Sequence, residues 1–202
     1  TPRGAGPLPR GGAALLREAP APPAFCGRSP LLQGVARRVG RGEIVTLPGR
    51  NGVGRSTTCK AIMGLVPPLG RIMFKGRDIA GLRTDLIAHA GIGYVPEDRQ
   101  VFPTLTVHQN LELGMKRTGV FGRWTFDDMF KLFPHLGERR DNAAGLLSGG
   151  EPQMLPLCRT LLGDPELVII DAPPEGPAPQ LVPPAAALLH QIARRGLAIP
   201  LV

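Results

Sequence analysis

The sequence predicts an α/β domain built on a parallel sheet, and three features carry this prediction. A short β-prone run at residues 43–47 is followed by a glycine-rich loop and then by an apolar segment at helical spacing, residues 58–65, which indicates a strand, a loop and a helix. Leu167–Ile170 is a continuous apolar run, typical of a parallel strand that is buried on both faces. Asp171 closes this run, at the end of the strand where α/β proteins place their ligand sites.

The elements before this strand follow in chain order. Residues 1–24 hold six prolines among glycine, alanine and arginine, a composition that fits neither a helix nor a strand, so we expect a disordered arm before a domain at 25–202. Residues 71–75 and 91–95 predict two further strands, and residues 106–115 predict a helix.

A small helical insert is expected next, at residues 117–146, which are more polar. Its core stripe consists of Phe126, Met129, Phe130 and Phe133, which recur at helical spacing. After Asp171 comes a second proline-rich block. Beyond it, residues 185–195 predict a helix and residues 197–202 a last strand.

Charge and cysteine content narrow the classes of function. The net charge is +8, and the first fifty residues contribute +6 of it through eight arginines and two glutamates. Only one aromatic residue, Phe25, lies among these arginines, so specific nucleic-acid binding is not expected. The three cysteines are widely spaced and form no CxxC pair, which argues against a disulfide framework or a zinc site and favours a reducing, cytoplasmic setting.

The glycine loop carries a phosphate-binding pattern. Residues 49–56 match G-x-x-x-x-G-K-[ST] at every fixed position but one, where Arg55 replaces the lysine. In such a loop the backbone N–H groups wrap a phosphate, the next helix presents its positive end, and Ser56 is placed to bind Mg²⁺. Arg55 keeps the charge but brings a planar fork in place of a compact ammonium. We expect weakened but retained nucleotide binding; the alternative is a tight turn with no ligand.

Further motifs place this loop in a family. Ser148 lies 92 residues after Ser56 within a Leu-Ser-Gly-Gly-Glu run, and Asp171 follows twenty-odd residues later. In this order and spacing the chain resembles the ATP-binding subunits of bacterial ABC importers, and among them those for branched-chain amino acids. The segments that carry the resemblance are 49–54, 61–65, 91–97, 102–107, 132–134, 147–151 and 175–176.

The resemblance implies a P-loop NTPase of the ABC ATPase type. Its core is a mixed parallel sheet, and a helical insert at about residues 106–160 carries the signature motif. The implied function is ATP hydrolysis that energises an importer. Implied partners are a second ATPase subunit in a homo- or heterodimer, integral-membrane permease subunits and, indirectly, a periplasmic substrate-binding protein. The implied location is the inner face of the plasma membrane.

The resemblance also assigns roles to residues. The loop that binds ATP consists of Gly49, Arg50, Asn51, Gly52, Val53, Gly54, Arg55, Ser56 and Thr57. Ser56 and Asp171 are the implied Mg²⁺ ligands. Glu97 is implied to sense the γ-phosphate and to contact the permease. The signature residues that hold the ATP of the opposite subunit are Ser148, Gly149 and Gly150.

The sequence also departs from the family outside the glycine loop. Ala172 follows Asp171 where the family has the glutamate that polarises the attacking water, so we expect hydrolysis slowed by about 10² to 10⁴. Pro156 falls within the helix after the signature and predicts a kink. The sequence ends at Val202, before the family's switch residue, so we expect a C-terminally truncated domain whose last strand lacks one neighbour.

These departures keep two alternatives open. One is a catalytically impaired subunit or decayed copy that binds ATP without efficient hydrolysis. The other is a soluble ABC ATPase that acts on nucleic acid or ribosomes, which only the basic arm favours.

Overall fold

The computed structural model of the chain describes ten stretches of the sequence. They are residues 17–18, 24–26, 29–32, 39–46, 55–68, 70–98, 100–116, 122–148, 151–171 and 182–201.

Nine short strands are present in these stretches. In chain order they are β1 (Arg17–Glu18), β2 (Ala24–Cys26), β3 (Ser29–Leu32), β4 (Ile44–Thr46), β5 (Ile72–Phe74), β6 (Arg77–Asp78), β7 (Ile92–Val95), β8 (Leu167–Ile170) and β9 (Ile199–Leu201). β1, β5 and β6 form an antiparallel sheet, and β2 pairs with β3.

Seven α-helices accompany the strands in the same described stretches. They are α1 (Arg55–Ile62), α2 (Thr84–Ala90), α3 (Val107–Glu112), α4 (Phe126–Leu132), α5 (Pro134–Glu138), α6 (Glu151–Leu162) and α7 (Val182–Arg194). One turn of 3₁₀-helix, Ala144–Leu146, precedes α6. The helix expected at 185–195, the helices expected within 117–146 and the strand ending at Ile170 are confirmed.

The core sheet has four parallel strands in the order β4-β9-β8-β7. β9 therefore has a neighbour on each side, and the expectation that the last strand lacks one neighbour is wrong. The reason is topological, since both flanking strands, β4 and β8, precede β9 in the chain. β1 is a second difference, because it pairs with β5 inside the segment expected to be a disordered arm. The limits of the arm and of the domain stay predictions.

Hydrophobic residues cover both faces of this sheet. On one face, Ile92, Leu167 and Ile169 pack in a cluster with Cys59 of α1. On the other, Val95, Val168 and Ile170 pack in a larger cluster with α3 to α7. β8 is buried along its whole length, as a strand covered on both faces must be. Alternate residues of β7 and β8 thus face α1, and those between them face α6.

Helix α6 approaches β7 closely because Gly93 has no side chain. A Cβ at this position would lie 2.5 Å from Thr160 Cγ2 and 3.3 Å from Pro165 Cβ. The Thr160 hydroxyl donates to the carbonyl oxygens of Pro156, at 2.9 Å, and Tyr94, at 3.3 Å. The helix is continuous through Pro156, and the kink expected there stays a prediction.

The start of β7 also depends on a glycine. Gly91 ends α2 with a φ of 113°, and its N–H donates to the Ala88 carbonyl. This left-handed conformation is open to glycine and strained for other residues. The turn sends the chain directly from α2 into β7, which carries Tyr94.

Capping residues at the starts of its helices and the buried side-chain amide of Asn110 stabilise the helical insert. Thr106 and Thr125 each close a capping box at the start of α3 and α4, an arrangement that satisfies two free N–H groups at a helix start. The stripe predicted for the insert packs against its core, with Met129 fully buried and Phe126, Phe130 and Phe133 partly so.

Candidate active site at the carboxyl end of the sheet

Asp171 lies directly after β8 and is only 1% exposed. Its backbone N–H donates to the Val95 carbonyl at 2.9 Å, which fixes it against the neighbouring strand. Its carboxylate accepts a 2.9 Å hydrogen bond on Oδ2 from the Tyr94 hydroxyl. The other oxygen, Oδ1, is buried and has no hydrogen-bond partner in the described part of the chain. A buried carboxylate oxygen without a hydrogen-bond partner is energetically costly.

Helix α1 lies beside this carboxylate. Cys59 is fully buried and packs in the same cluster as Ile169, two residues before Asp171. Burial, and secondarily the negative charge of Asp171, raises the pKa of the Cys59 thiol well above its usual value. The thiol therefore stays protonated. Ser56 and Thr57, one turn earlier, are half-buried. Since Cys59 packs in the same cluster as Ile169, α1 and the end of β8 lie on the same face of the sheet.

Tyr94 acts as a permanent hydrogen-bond donor to Asp171. Burial, followed by the hydrogen bond to the Asp171 carboxylate and by its charge, raises the pKa of the Tyr94 phenol above its usual value. The phenol keeps its proton under all physiological conditions. Sequence reasoning gave Tyr94 no role, although its position near the end of the strand beside β8 is a signal that could have done so.

The donor set on this face fits Mg²⁺. That ion binds proteins through one or two carboxylates and completes its shell with phosphate oxygens and water. Asp171 Oδ1 is a carboxylate oxygen of this kind, and Ser56 brings a hydroxyl at the start of α1. Among the described residues, no group of three or more His, Cys, Asp or Glu side chains is placed to hold a metal.

Several predicted site residues lie outside the described stretches. They are Gly49, Arg50, Asn51, Gly52, Val53, Gly54, Gly149, Gly150 and Ala172. The structure does describe the strand before the loop, β4, and the helix after it, which begins at Arg55. The predicted order of strand, loop and helix is therefore confirmed at both ends.

The two remaining predicted residues lie at other places. Glu97 is exposed and follows β7 by two residues, so Glu97 and Asp171 follow the carboxyl ends of adjacent parallel strands. Ser148 is exposed just before α6.

The loop after Glu97 is tied to two helices, a feature that the sequence did not reveal. Arg159 of α6 donates to the Gln100 carbonyl at 2.8 Å, and its guanidinium lies 5.3 Å from the centre of the Phe102 ring. Asn110 of α3 both donates to and accepts from the Phe102 backbone. The segment that links β7 to the helical insert is thus attached at successive points.

Comparison with known proteins identifies the family of this chain. The sequence pattern of the family described as "ABC transporter" matches residues 32–175, more than half of the chain. The chain belongs to the ABC transporter family. Members of it bind and hydrolyse ATP, generally with Mg²⁺, and their ATP-binding subunits dimerise and work with membrane permeases. Within the described residues of this ABC protein, no helix is both long and apolar enough to span a membrane.

Two curated relatives are informative. The chain is 37% identical, over 88% of its length, to the high-affinity branched-chain amino acid transport ATP-binding protein BraG of Pseudomonas aeruginosa, and covers 77% of it. It is 34% identical, over 82% of its length, to the lipopolysaccharide export system ATP-binding protein LptB of Haemophilus influenzae, and covers 70% of it. Both are similar along most of this ABC protein, and they are named for different cargoes.

Solved structures support the same assignment. A nucleotide-free ATP-binding cassette from an ABC transporter matches with a TM-score of 0.77 at 26% identity, covering 93% of this chain and 80% of that one. The ADP conformation of an ATP-binding cassette of an ABC transporter matches with the same TM-score, identity and coverage. The fold is that of an ABC ATPase.

Proposed function

We propose that this chain binds Mg·ATP between the glycine loop before α1 and the carboxylate of Asp171, and that it energises an ABC importer for branched-chain amino acids. One observation supports the site above all others. Asp171 is buried at the end of β8, beside α1, with one oxygen held by Tyr94 and the other left for a ligand.

In the proposed site, different residues bind the phosphates, the metal and the partner proteins. The backbone of residues 49–54 and the N-terminus of α1 receive the phosphates, with Arg55 adding positive charge. Ser56 Oγ and Asp171 Oδ1 hold Mg²⁺. When bound, that ion neutralises charge that develops on the transferred phosphoryl group. Ser148, Gly149 and Gly150 contact the ATP of a second subunit, and Glu97 links the site to the permease, which places the chain on the inner face of the plasma membrane.

The rate of hydrolysis is the second part of the proposal. Ala172 stands directly after Asp171, where the resemblance calls for the glutamate that polarises water. With no carboxylate there, we infer turnover slowed by about 10² to 10⁴, while Mg·ATP binding is retained. A subunit of this kind drives closure of the dimer through binding more than through hydrolysis.

Equilibrium binding and turnover on one sample test both parts. We expect calorimetric titration to show ATP binding that strengthens with Mg²⁺, together with slow steady-state phosphate release. Ala172→Glu should raise the release rate by about 10² or more. Ala172→Gln is the matched control, because glutamine has nearly the same size as glutamate and no charge. It should not raise the release rate. Absence of ATP binding would refute the site, and an equal response to both variants would refute the assigned role of residue 172.

The cargo is proposed from the similarity to BraG, which extends over 88% of the chain. The relatives named LptB make lipopolysaccharide the competing cargo. Expression in Pseudomonas aeruginosa cells that lack BraG provides the test. Restored leucine uptake by the chain or by its Ala172→Glu variant supports the proposal, and normal expression of both without uptake contradicts it.

A further inference from the structure

The hydrogen bond between Tyr94 and Asp171 joins two adjacent strands at the proposed metal site. In the parallel register Tyr94 lies opposite Ile169, and its hydroxyl meets the carboxylate of Asp171, two residues further toward the carboxyl edge, at 2.9 Å. We propose that Tyr94 is a positioning residue for Mg²⁺, which holds the Asp171 carboxylate by Oδ2 so that Oδ1 is the oxygen offered to the metal. This inference rests on the proposed function of the site.

The contact is selective between the two carboxylate oxygens. A carboxylate rotates about its Cβ–Cγ bond unless a hydrogen bond fixes it, and here the single donor in the described residues is the Tyr94 hydroxyl. Groups that hydrogen-bond to a metal ligand orient it and tune its affinity, and their removal typically weakens metal binding by about 10- to 100-fold.

The surroundings keep the tyrosine in place. On the far side of β7, the Thr160 hydroxyl donates to the Tyr94 carbonyl at 3.3 Å, and α6 packs directly on Gly93. On the near side, the ring packs with the cluster that contains Cys59 and Ile169. The Tyr94 hydroxyl is therefore aimed by packing and does not depend on a flexible segment.

Thr160 supplies a matched control for this proposal. It carries a hydroxyl that bonds to the same strand, but on the face turned away from Asp171. Tyr94→Phe and Thr160→Val each delete one hydroxyl next to β7 and keep the shape of the side chain. Only Tyr94→Phe removes a hydrogen bond to the Asp171 carboxylate.

Calorimetry provides the first readout. For the wild type, the ATP dissociation constant is measured with excess Mg²⁺ and with EDTA, and the ratio of the two gives the metal-dependent gain. We expect Tyr94→Phe to reduce this gain by about 10- to 100-fold while leaving the affinity in EDTA unchanged. Thr160→Val should leave both values unchanged even if it lowers stability. A purely structural role for the Tyr94 hydroxyl does not predict a selective loss of the metal-dependent gain in Tyr94→Phe.

Tyrosine absorbance provides the second readout, because Tyr94 is the only tyrosine in the chain. When Mg²⁺ joins the ATP complex, Asp171 shares its charge with the metal and becomes a weaker acceptor. The near-ultraviolet phenol band should therefore shift to shorter wavelength in the wild type and in Thr160→Val. Addition of Mg²⁺ to an Asp171→Asn variant should leave it unshifted.

The outcomes separate this inference from the function on which it rests. A wild type that binds Mg·ATP with a clear metal-dependent gain, and a Tyr94→Phe variant with the same gain, would overturn the role of Tyr94 and leave the proposed function standing. If Mg²⁺ does not change the ATP affinity of the wild type, both the role of Tyr94 and the proposed function are overturned. The proposal is supported if Tyr94→Phe loses the metal-dependent gain in ATP affinity, Thr160→Val keeps it, and the phenol band shifts in the wild type and in Thr160→Val.

Discussion

Asn110 and Asp171, two buried polar side chains on opposite sides of the parallel sheet, differ in how many of their polar atoms have hydrogen-bond partners. On the side of the helical insert, Asn110 is fully buried, and its amide makes four hydrogen bonds to the backbone of residues 102, 105 and 106. On the side of α1, Asp171 is almost as deeply buried, yet one of its oxygens has no hydrogen-bond partner in the described residues.

This difference, taken with the position of each residue in the sheet, supports a structural role for Asn110 and the proposed ligand-binding role for Asp171. Leaving a buried polar group without its partner costs about 1 to 3 kcal/mol, so folded proteins satisfy nearly all such groups. Asn110 follows that rule and serves the fold. Asp171 departs from it at the end of a strand, the place where α/β proteins bind ligands, which is the reason to regard its free oxygen as the position of a ligand.

The largest effect on the free energy of unfolding is expected from removal of the Asn110 side-chain amide. Asn110→Ala deletes four hydrogen bonds and leaves the Phe102 N–H, which donates to Asn110 Oδ1 at 3.0 Å, without that acceptor. We expect the free energy of unfolding in urea to fall by about 3 kcal/mol. Asn142→Ala, at an exposed position of the same insert, should change it by less than about 0.5 kcal/mol. Equal effects would show that the Asn110 network is not what holds the insert.

A smaller effect is expected where α6 meets β7. Gly93→Ala places a methyl group 2.5 Å from Thr160 Cγ2, and overpacking of this kind costs about 1 to 3 kcal/mol. Thr160→Ser removes Cγ2 and keeps the hydroxyl, so the double variant should recover a large part of that loss in thermal unfolding. A Gly93→Ala protein as stable as the wild type, or a double variant that is no better than the single one, would contradict this packing.

The regular elements that carry the site were predictable because their signals are local. The apolar run of β8 and its terminal Asp171, the helix after the glycine loop and the stripe around Met129 depend on short sequence patterns, and the structure confirms each of them. The roles proposed for the loop and signature residues came from the family resemblance and stay predictions.

Contacts between distant parts of the chain could not be predicted in this way. Tyr94 meets Asp171 across 77 residues because strand register, which is fixed by packing, brings them together. Arg195 lies 4.4 Å from the Trp124 ring and bonds to Asp128 at 3.0 Å, and no periodic pattern marks that pairing. The position of β9 between β4 and β8 was missed for the same reason, since strand order is not written in any one segment.

The free energy of unfolding of the wild type and of Asp171→Asn, each measured in EDTA and in Mg·ATP, tests the central claim most directly. Because one oxygen of the buried Asp171 side chain has no hydrogen-bond partner in the described residues, the variant should be at least as stable as the wild type in EDTA. Mg·ATP at a hundred times its dissociation constant should then stabilise the wild type by about 2.7 kcal/mol and the variant by clearly less. An Asp171→Asn protein that is less stable in EDTA, yet gains as much from Mg·ATP as the wild type, would show that this carboxylate serves the fold and not the nucleotide.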